Sequence, residues 1–164
     1  MSRLPDAWRR HEIPEAGVSV ELYEPWPVES TGDARGGSVH QRIADTGGLV
    51  FLRYGEGAEL EAFIATLSDF VTRASVLSEA EVVYGDRPAR RVELEQVRQQ
   101  LGVYRHDADG QVVDERLDEV RTLVSVVELT NAGRPVLVGY RLGAASVPEF
   151  RPVLERIVGS VVAS

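Results

Sequence analysis

Residues 122–164 constrain the fold more than any other part of the chain. Segments 122–130 and 135–142 contain the nearly continuous apolar runs Leu123-Val124-Ser125-Val126-Val127-Glu128-Leu129 and Val136-Leu137-Val138-Gly139-Tyr140-Arg141-Leu142. Between them lies Asn131-Ala132-Gly133-Arg134, a turn-forming sequence. Strands that are apolar along both sides belong in the middle of a sheet covered on both faces. The period then changes to that of a helix over 146–162. Phe150, Val153, Leu154, Ile157, Val158 and Val161 make one stripe, and Ser146 with Glu149 has the spacing of a capping box. Pro152 falls inside that pattern, so the regular turns are expected to begin near it or to kink there.

Upstream, segments 8–13 and 18–23 read as strands around Pro14-Glu15-Ala16-Gly17; Val18, Val20 and Leu22 keep the period of a half-buried strand. Segment 28–48 is polar and rich in glycine, and is expected to be a surface loop. Segment 49–54 is a compact strand. Over 59–73, Leu60, Phe63, Ile64, Leu67, Phe70 and Val71 form one stripe, which predicts a long amphipathic helix. Segments 75–84 and 89–97 read as strands, the second near an edge or a wet face. The charged insert 98–121 is expected to hold a small protruding hairpin around His106-Asp107-Ala108-Asp109-Gly110. The whole, 1–164, is read as one α+β domain: a mainly antiparallel sheet with helices packed on both faces. A helix-grip, Bet v 1-like arrangement is the structural alternative.

Several chemistries are excluded by composition. The chain has no cysteine, so disulfides, thiolate catalysis and Cys-ligated zinc are ruled out. All 18 basic residues are arginine, which removes Schiff-base and P-loop lysines. A net charge of -8 argues against nucleic acid as partner and for a neutral or basic one. Residues 1–10 carry no apolar h-region or small-residue cleavage site, and no apolar run is long enough to span a bilayer. A cytoplasmic protein is expected.

Each candidate motif fails on its own geometry. With Gly110 at the sixth position of a calcium loop, Arg105 and Arg116 occupy the first and twelfth, where carboxylates belong. Gly32-Asp33-Ala34-Arg35-Gly36-Gly37 has the spacing of a phosphate loop, but Ser38 stands at the lysine position. Gly36-Gly37-Ser38-Val39-His40 has His where a nucleophile elbow needs glycine. His11, His40 and His106 show no ligand spacing. No catalytic residue, metal or cofactor is expected.

Five residues remain as candidates for a partner surface. Trp8, Trp26 and Tyr104 are large aromatics beside loop-like segments, and Arg90 with Arg91 could meet an acidic group. The structural alternatives are that the tryptophans close the edges of the core and that the arginines pair with Glu93 or Glu95.

The strand Gly17-Val18-Ser19-Val20-Glu21-Leu22 ending at Glu24-Pro25-Trp26, the turn and strand Gly85-Asp86-Arg87-Pro88-Ala89-Arg90-Arg91, the last hairpin and the closing helix from Phe150 to Ile157-Val158-Gly159-Ser160 together resemble the PsbP/Mog/DcrB-like superfamily. The likeness covers about two-thirds of the chain and departs from the superfamily's lipoproteins in lacking a lipobox cysteine. It implies an α/β/α sandwich and a binding role, without transferring a catalytic residue. Among the members, adaptor chaperones of secreted effectors fit the missing leader, and they imply a homodimer. The expected function is therefore a non-catalytic protein-binding or adaptor domain of unidentified partner. The alternative is a small-ligand carrier or enzyme with a cavity between sheet and helix, lined by Tyr54, Tyr84 and Tyr140.

Overall fold

A computed structural model of the chain describes residues 4–84 and 87–164, with side chains described except at 100–104 and 114–117. Among the described residues, ten strands and two α-helices follow the order β1 (Trp8–Ile13), β2 (Val18–Tyr23), β3 (Val28–Gly32), β4 (Gly36–Ile43), β5 (Gly48–Gly55), α1 (Leu60–Ala65), β6 (Thr72–Tyr84), β7 (Arg87–His106), β8 (Val112–Asn131), β9 (Arg134–Gly143), α2 (Val147–Gly159) and β10 (Val162–Ala163). The sheet dominates. Seven antiparallel strands run β3-β4-β5-β9-β8-β7-β6, and β1-β2-β10 form a smaller sheet.

The apolar runs of the last hairpin lie where their composition requires, inside the large sheet. Alternate residues of β8 divide between two clusters. Val124 and Val126 join Phe51, Val92, Leu94 and Leu137 with Leu60, Phe63 and Leu67 from α1 and the turn after it. Val127 and Leu129 join β2, β5 and β9 with Phe150, Val153, Leu154, Ile157 and Val158 of α2. Each fully buried Leu or Ile contributes about 1.5–3 kcal/mol. The β8–β9 turn takes positive φ at Ala132 (50°) and Gly133 (75°), and Asn131 Nδ2 donates to the carbonyls of Ala16 and Gly17, tying this turn to the β1–β2 turn.

Four expectations are corrected. Segment 28–48 is not a loop but the hairpin β3–β4. Its glycines seat a ring: Gly32, Gly37 and Tyr54 stand in register on adjacent strands, and a Cβ on Gly37 would meet Tyr54 Oη at 2.5 Å. The helix over 59–73 shortens to α1. Thr66 Oγ1 donates to the Phe63 carbonyl at 2.6 Å, and Asp69 Oδ1 accepts from the N–H groups of Val71 and Thr72, turning the chain into β6. Leu67 stays buried while Phe70 is fully exposed.

The small hairpin is the end of a long one, with 20 residues in each of β7 and β8. Its tip is closed by Asp107 Oδ1, which accepts from the N–H groups of Asp109 and Gln111, and by Gly110 at φ 78°. The capping box does not form. A 3₁₀ turn, Ala144–Ser146, feeds α2, leaving Ser146 in helical φ/ψ with no side-chain cap. The regular turns begin ahead of Pro152 and end at Gly159, and the last residues pair with β2 as β10.

Candidate functional site

The two tryptophans belong to one row of rings. Trp8 meets Tyr23 edge-on at 5.2 Å, Tyr23 meets Trp26 at 4.8 Å, and Trp26 meets Phe150 of α2 at 5.9 Å. Trp26 is 6% exposed, so its ring closes the edge of the core. The buried Gln41 of β4 holds this end of β2. Its Oε1 accepts from the Tyr23 N–H, and its Nε2 donates to the carbonyls of Tyr23 (2.8 Å) and Trp26 (2.9 Å). Trp8 is half-buried and lies beneath the Arg156 guanidinium, 4.0 Å from the ring centre. The Tyr104 side chain lies outside the described residues.

Arg90 and Arg91, being consecutive on β7, point to opposite faces of the sheet. Arg90 bonds Glu61 of α1 at 2.6 Å and Glu79 of β6 at 2.5 Å. Arg91 makes a bidentate pair with Glu155 of α2 (2.5 and 2.8 Å), donates to Ser125 Oγ and lies 3.8 Å from Glu93. Tyr140 donates to the same Glu155 carboxylate at 2.8 Å. The hydrogen bonds to Glu155 raise the Arg91 pKa. Burial, then the hydrogen bond to Glu155, push Tyr140 up to about 12. At Glu155 burial acts upward, but the bonds from Arg91 and Tyr140 outweigh it and hold the carboxyl below its ordinary value. Every charged group here is satisfied by another, which is the arrangement of a tie between helix and sheet.

The three tyrosines do not meet in one cavity. Tyr140 is fully buried in that tie, Tyr84 borders a groove beside Leu129 and Val161, and Tyr54 floors an open cleft of about 620 Å³ beside His11, Glu15, Thr31 and Asp33. Burial first, then the carboxylates of Glu15 and Asp33, raise the Tyr54 pKa. Asp33 Oδ1 is already engaged by the N–H groups of Arg35 and Gly36. Between sheet and α2 a gap of about 10 Å³ remains beside Val20, Leu22, Val138 and Ile157, room for one water at most. His11 borders the cleft, His40 bonds Glu29 at 2.9 Å, and His106 ends β7. Among the described residues no group of three His, Cys, Asp or Glu is placed to hold a metal.

Among the described residues, the most open apolar surface is one the periodicity did not single out. β6 is the terminal strand of the large sheet, 13 residues long, and it exposes Val76, Leu77 and Val83 (73% for Val83). A bulge interrupts its pairing with β7 between Val76 and Ser78. Phe70 stands fully exposed on the turn that leads into it. The signal available in the sequence was Val82-Val83-Tyr84, an apolar run at a strand end, whereas Phe70 fitted the helical stripe and so read as core.

This architecture is a PsbP-like fold. The chain is similar to the solution structure of cyanobacterial PsbP (CyanoP) from Synechocystis sp. PCC 6803, with TM-score 0.61 and 11% identity over 96% of this chain and 93% of that one. It is also similar to a Pseudomonas aeruginosa protein of unknown function, PA94, described as a putative regulator, with TM-score 0.41 and 12% identity over 96% and 98% of the two chains. No family model and no curated protein matches the sequence. No helix among the described residues is long and apolar enough to cross a membrane.

Proposed function

We propose that this chain is a non-catalytic binding domain of the adaptor kind, an α/β/α sandwich that takes an extended segment of a protein partner along β6. The observation that carries this reading is the 13-residue terminal strand with Val76, Leu77 and Val83 exposed on it. An edge strand offers a row of free N–H and C=O groups, and side chains on its surface select what pairs with them. Glu81 on β6, in a chain of net charge -8, favours a segment that alternates apolar and basic residues over nucleic acid. A cytoplasmic adaptor related to the Mog and DcrB branches of the superfamily fits the same surface.

Peptide display on the immobilised protein tests it. Selected sequences should alternate apolar and basic residues, bind the wild type and fail to bind a Val76→Lys, Val83→Lys variant. Peptides that bind both proteins equally would overturn the reading. A dimer that forms through β6 and blocks selection would do so as well. The competing reading, a small-ligand carrier or enzyme, rests on the open cleft beside Tyr54. A metabolite that raises the melting temperature of the wild type and not of Tyr54→Ala would favour it.

A further inference from the structure

The first residues of β6 are closed off by the chain itself. The Thr72 N–H donates to Asp69 Oδ1 at 2.7 Å, and the Ala74 N–H donates to Ser68 Oγ at 3.1 Å. Residues two apart on a strand send their N–H groups to the same side, and β7 occupies the other side of β6. The turn 68–71 therefore stands in the line that an added strand would follow. A partner segment can pair only from Val76 onward, and one of its ends abuts that turn.

Phe70 stands on the crest of this turn with its ring in water. The backbone beneath it is braced. Asp69 Oδ1 also accepts from the Val71 N–H at 2.8 Å, the Asp69 N–H donates to the Thr72 carbonyl at 3.0 Å, and Gln96 Nε2 donates to the carbonyl of the buried Leu67 at 2.8 Å. Of the ten large apolar side chains that stand exposed among the described residues, five lie at this edge: Phe70, Val71, Val76, Leu77 and Val83. Phe70 is the one aromatic ring among the ten. An aromatic side chain on a braced backbone has little left to order when it meets a partner, and such side chains are the anchors of protein interfaces.

We infer that Phe70 anchors the end of the protein segment that adds to β6, and that the segment carries a large apolar side chain where it meets the turn. That side chain packs on the Phe70 ring beside Val71. The inference rests on the reading of β6 as the docking edge, and adds to it the place where the segment stops and the residue type wanted there. Ser68 and Asp69 set the stop, because their side-chain oxygens already hold the N–H groups of Ala74 and Thr72 that a longer segment would need. The backbone of the segment then takes its bonds from the free N–H groups beyond Val76, and its terminal side chain takes specificity from the ring.

The test runs peptide display in parallel on the immobilised wild type and on Phe70→Ser, with random stretches long enough to pass both ends of β6. Sequences selected on the wild type should carry a large apolar residue at one end of the strand-forming stretch. On Phe70→Ser that preference should vanish, while the preferences along 76–84 remain. A peptide selected on the wild type should bind Phe70→Ser about tenfold more weakly, and Phe70→Trp about as tightly as the wild type. Val28→Ser, which removes an exposed apolar side chain at the opposite edge of the sheet, should leave the affinity unchanged. Equal affinity of wild type and Phe70→Ser for peptides that the Val76→Lys, Val83→Lys variant fails to bind would overturn this inference and leave the β6 reading standing. Peptides that the lysine variant binds as well as the wild type does would overturn both. A wild type that dimerises in solution beside a monomeric Phe70→Ser would also overturn it, since the ring would then belong to a contact between two copies.

Discussion

Tyr140 of β9 donates its hydroxyl hydrogen bond to Glu155 of α2 at 2.8 Å, and the same carboxylate receives both arms of Arg91 from β7. Two strands of the central sheet are thereby tied to one turn of the helix. The tie lies within the apolar cluster that includes Tyr140, Leu154 and Val158. Glu155→Gln should cost about 1–2 kcal/mol, a figure discounted for the 37% exposure of the Glu155 side chain. Tyr140→Phe, which keeps the ring, should cost about 1 kcal/mol. Urea denaturation of the two variants and their combination measures both, and the double loss should differ from the sum because the groups share one carboxylate.

That tie also sets an acid limit. The folded Glu155 carboxyl titrates below its ordinary value of 4.5, so its contribution is complete above that value and is lost as pH falls through the folded pKa. Wild type should therefore lose stability on acidification more steeply than Glu155→Gln below about pH 4.5. Parallel slopes in thermal melts over that range would show that Glu155 is not the group responsible.

Gln41 satisfies three backbone groups at the turn between β2 and Trp26. Gln41→Leu fills the volume but leaves those groups unpaired in a buried site, and should cost about 3 kcal/mol or more. Because Trp26 depends on this clasp, its near-ultraviolet circular dichroism should weaken in the folded variant.

Gly32 and Tyr54 are a matched pair, since a Cβ on Gly32 would lie 2.6 Å from Tyr54 Oη. Gly32→Ala should destabilise the β3–β4 hairpin by about 1–3 kcal/mol. Tyr54→Ala should recover part of that loss, giving a double-variant cost below the sum. Full additivity would mean that the ring is not what the glycine accommodates.

Phe63 and Phe70 look equivalent in the helical stripe and are not in the structure. Phe63→Ala should cost about 3–5 kcal/mol, because the ring packs against Phe51, whereas Phe70→Ser should change stability by about 0.5 kcal/mol or less.

The contrast between these rings shows where the sequence is readable and where it stops. Val18, Val20 and Leu22 alternate on one side of β2, which is found at the expected residues, although Ser19 and Tyr23 on its other side are buried as well. The runs of β8 and β9 are continuous because a cluster lies on each side of them, and their turn falls at Asn131–Arg134 as the residue types require. Periodicity carries that much because it records burial. It does not record what replaces burial. Asp69 caps two N–H groups and diverts the chain out of the helix before Phe70, a local hydrogen-bond effect invisible to an apolar stripe. Gly32 and Gly37 read as loop formers, yet their role is set by Tyr54, distant in sequence. The same distance hid the surface proposed for binding: β6 becomes an edge only once strand order is known. Trp8 and Trp26, prominent in the sequence, lie in the row of rings that runs to Phe150.

Hydrogen–deuterium exchange tests the central claim most directly, with a peptide selected on the wild type as the probe. If a partner segment adds to the sheet at β6, bound peptide should slow exchange at those amides of 76–84 whose N–H groups point away from β7, since the N–H groups of Thr72 and Ala74 are already bonded to Asp69 and Ser68. Amides of β3, at the opposite edge, should be unaffected. Protection confined to the cleft around Tyr54, or no protection on β6 while the peptide is bound, would contradict the account.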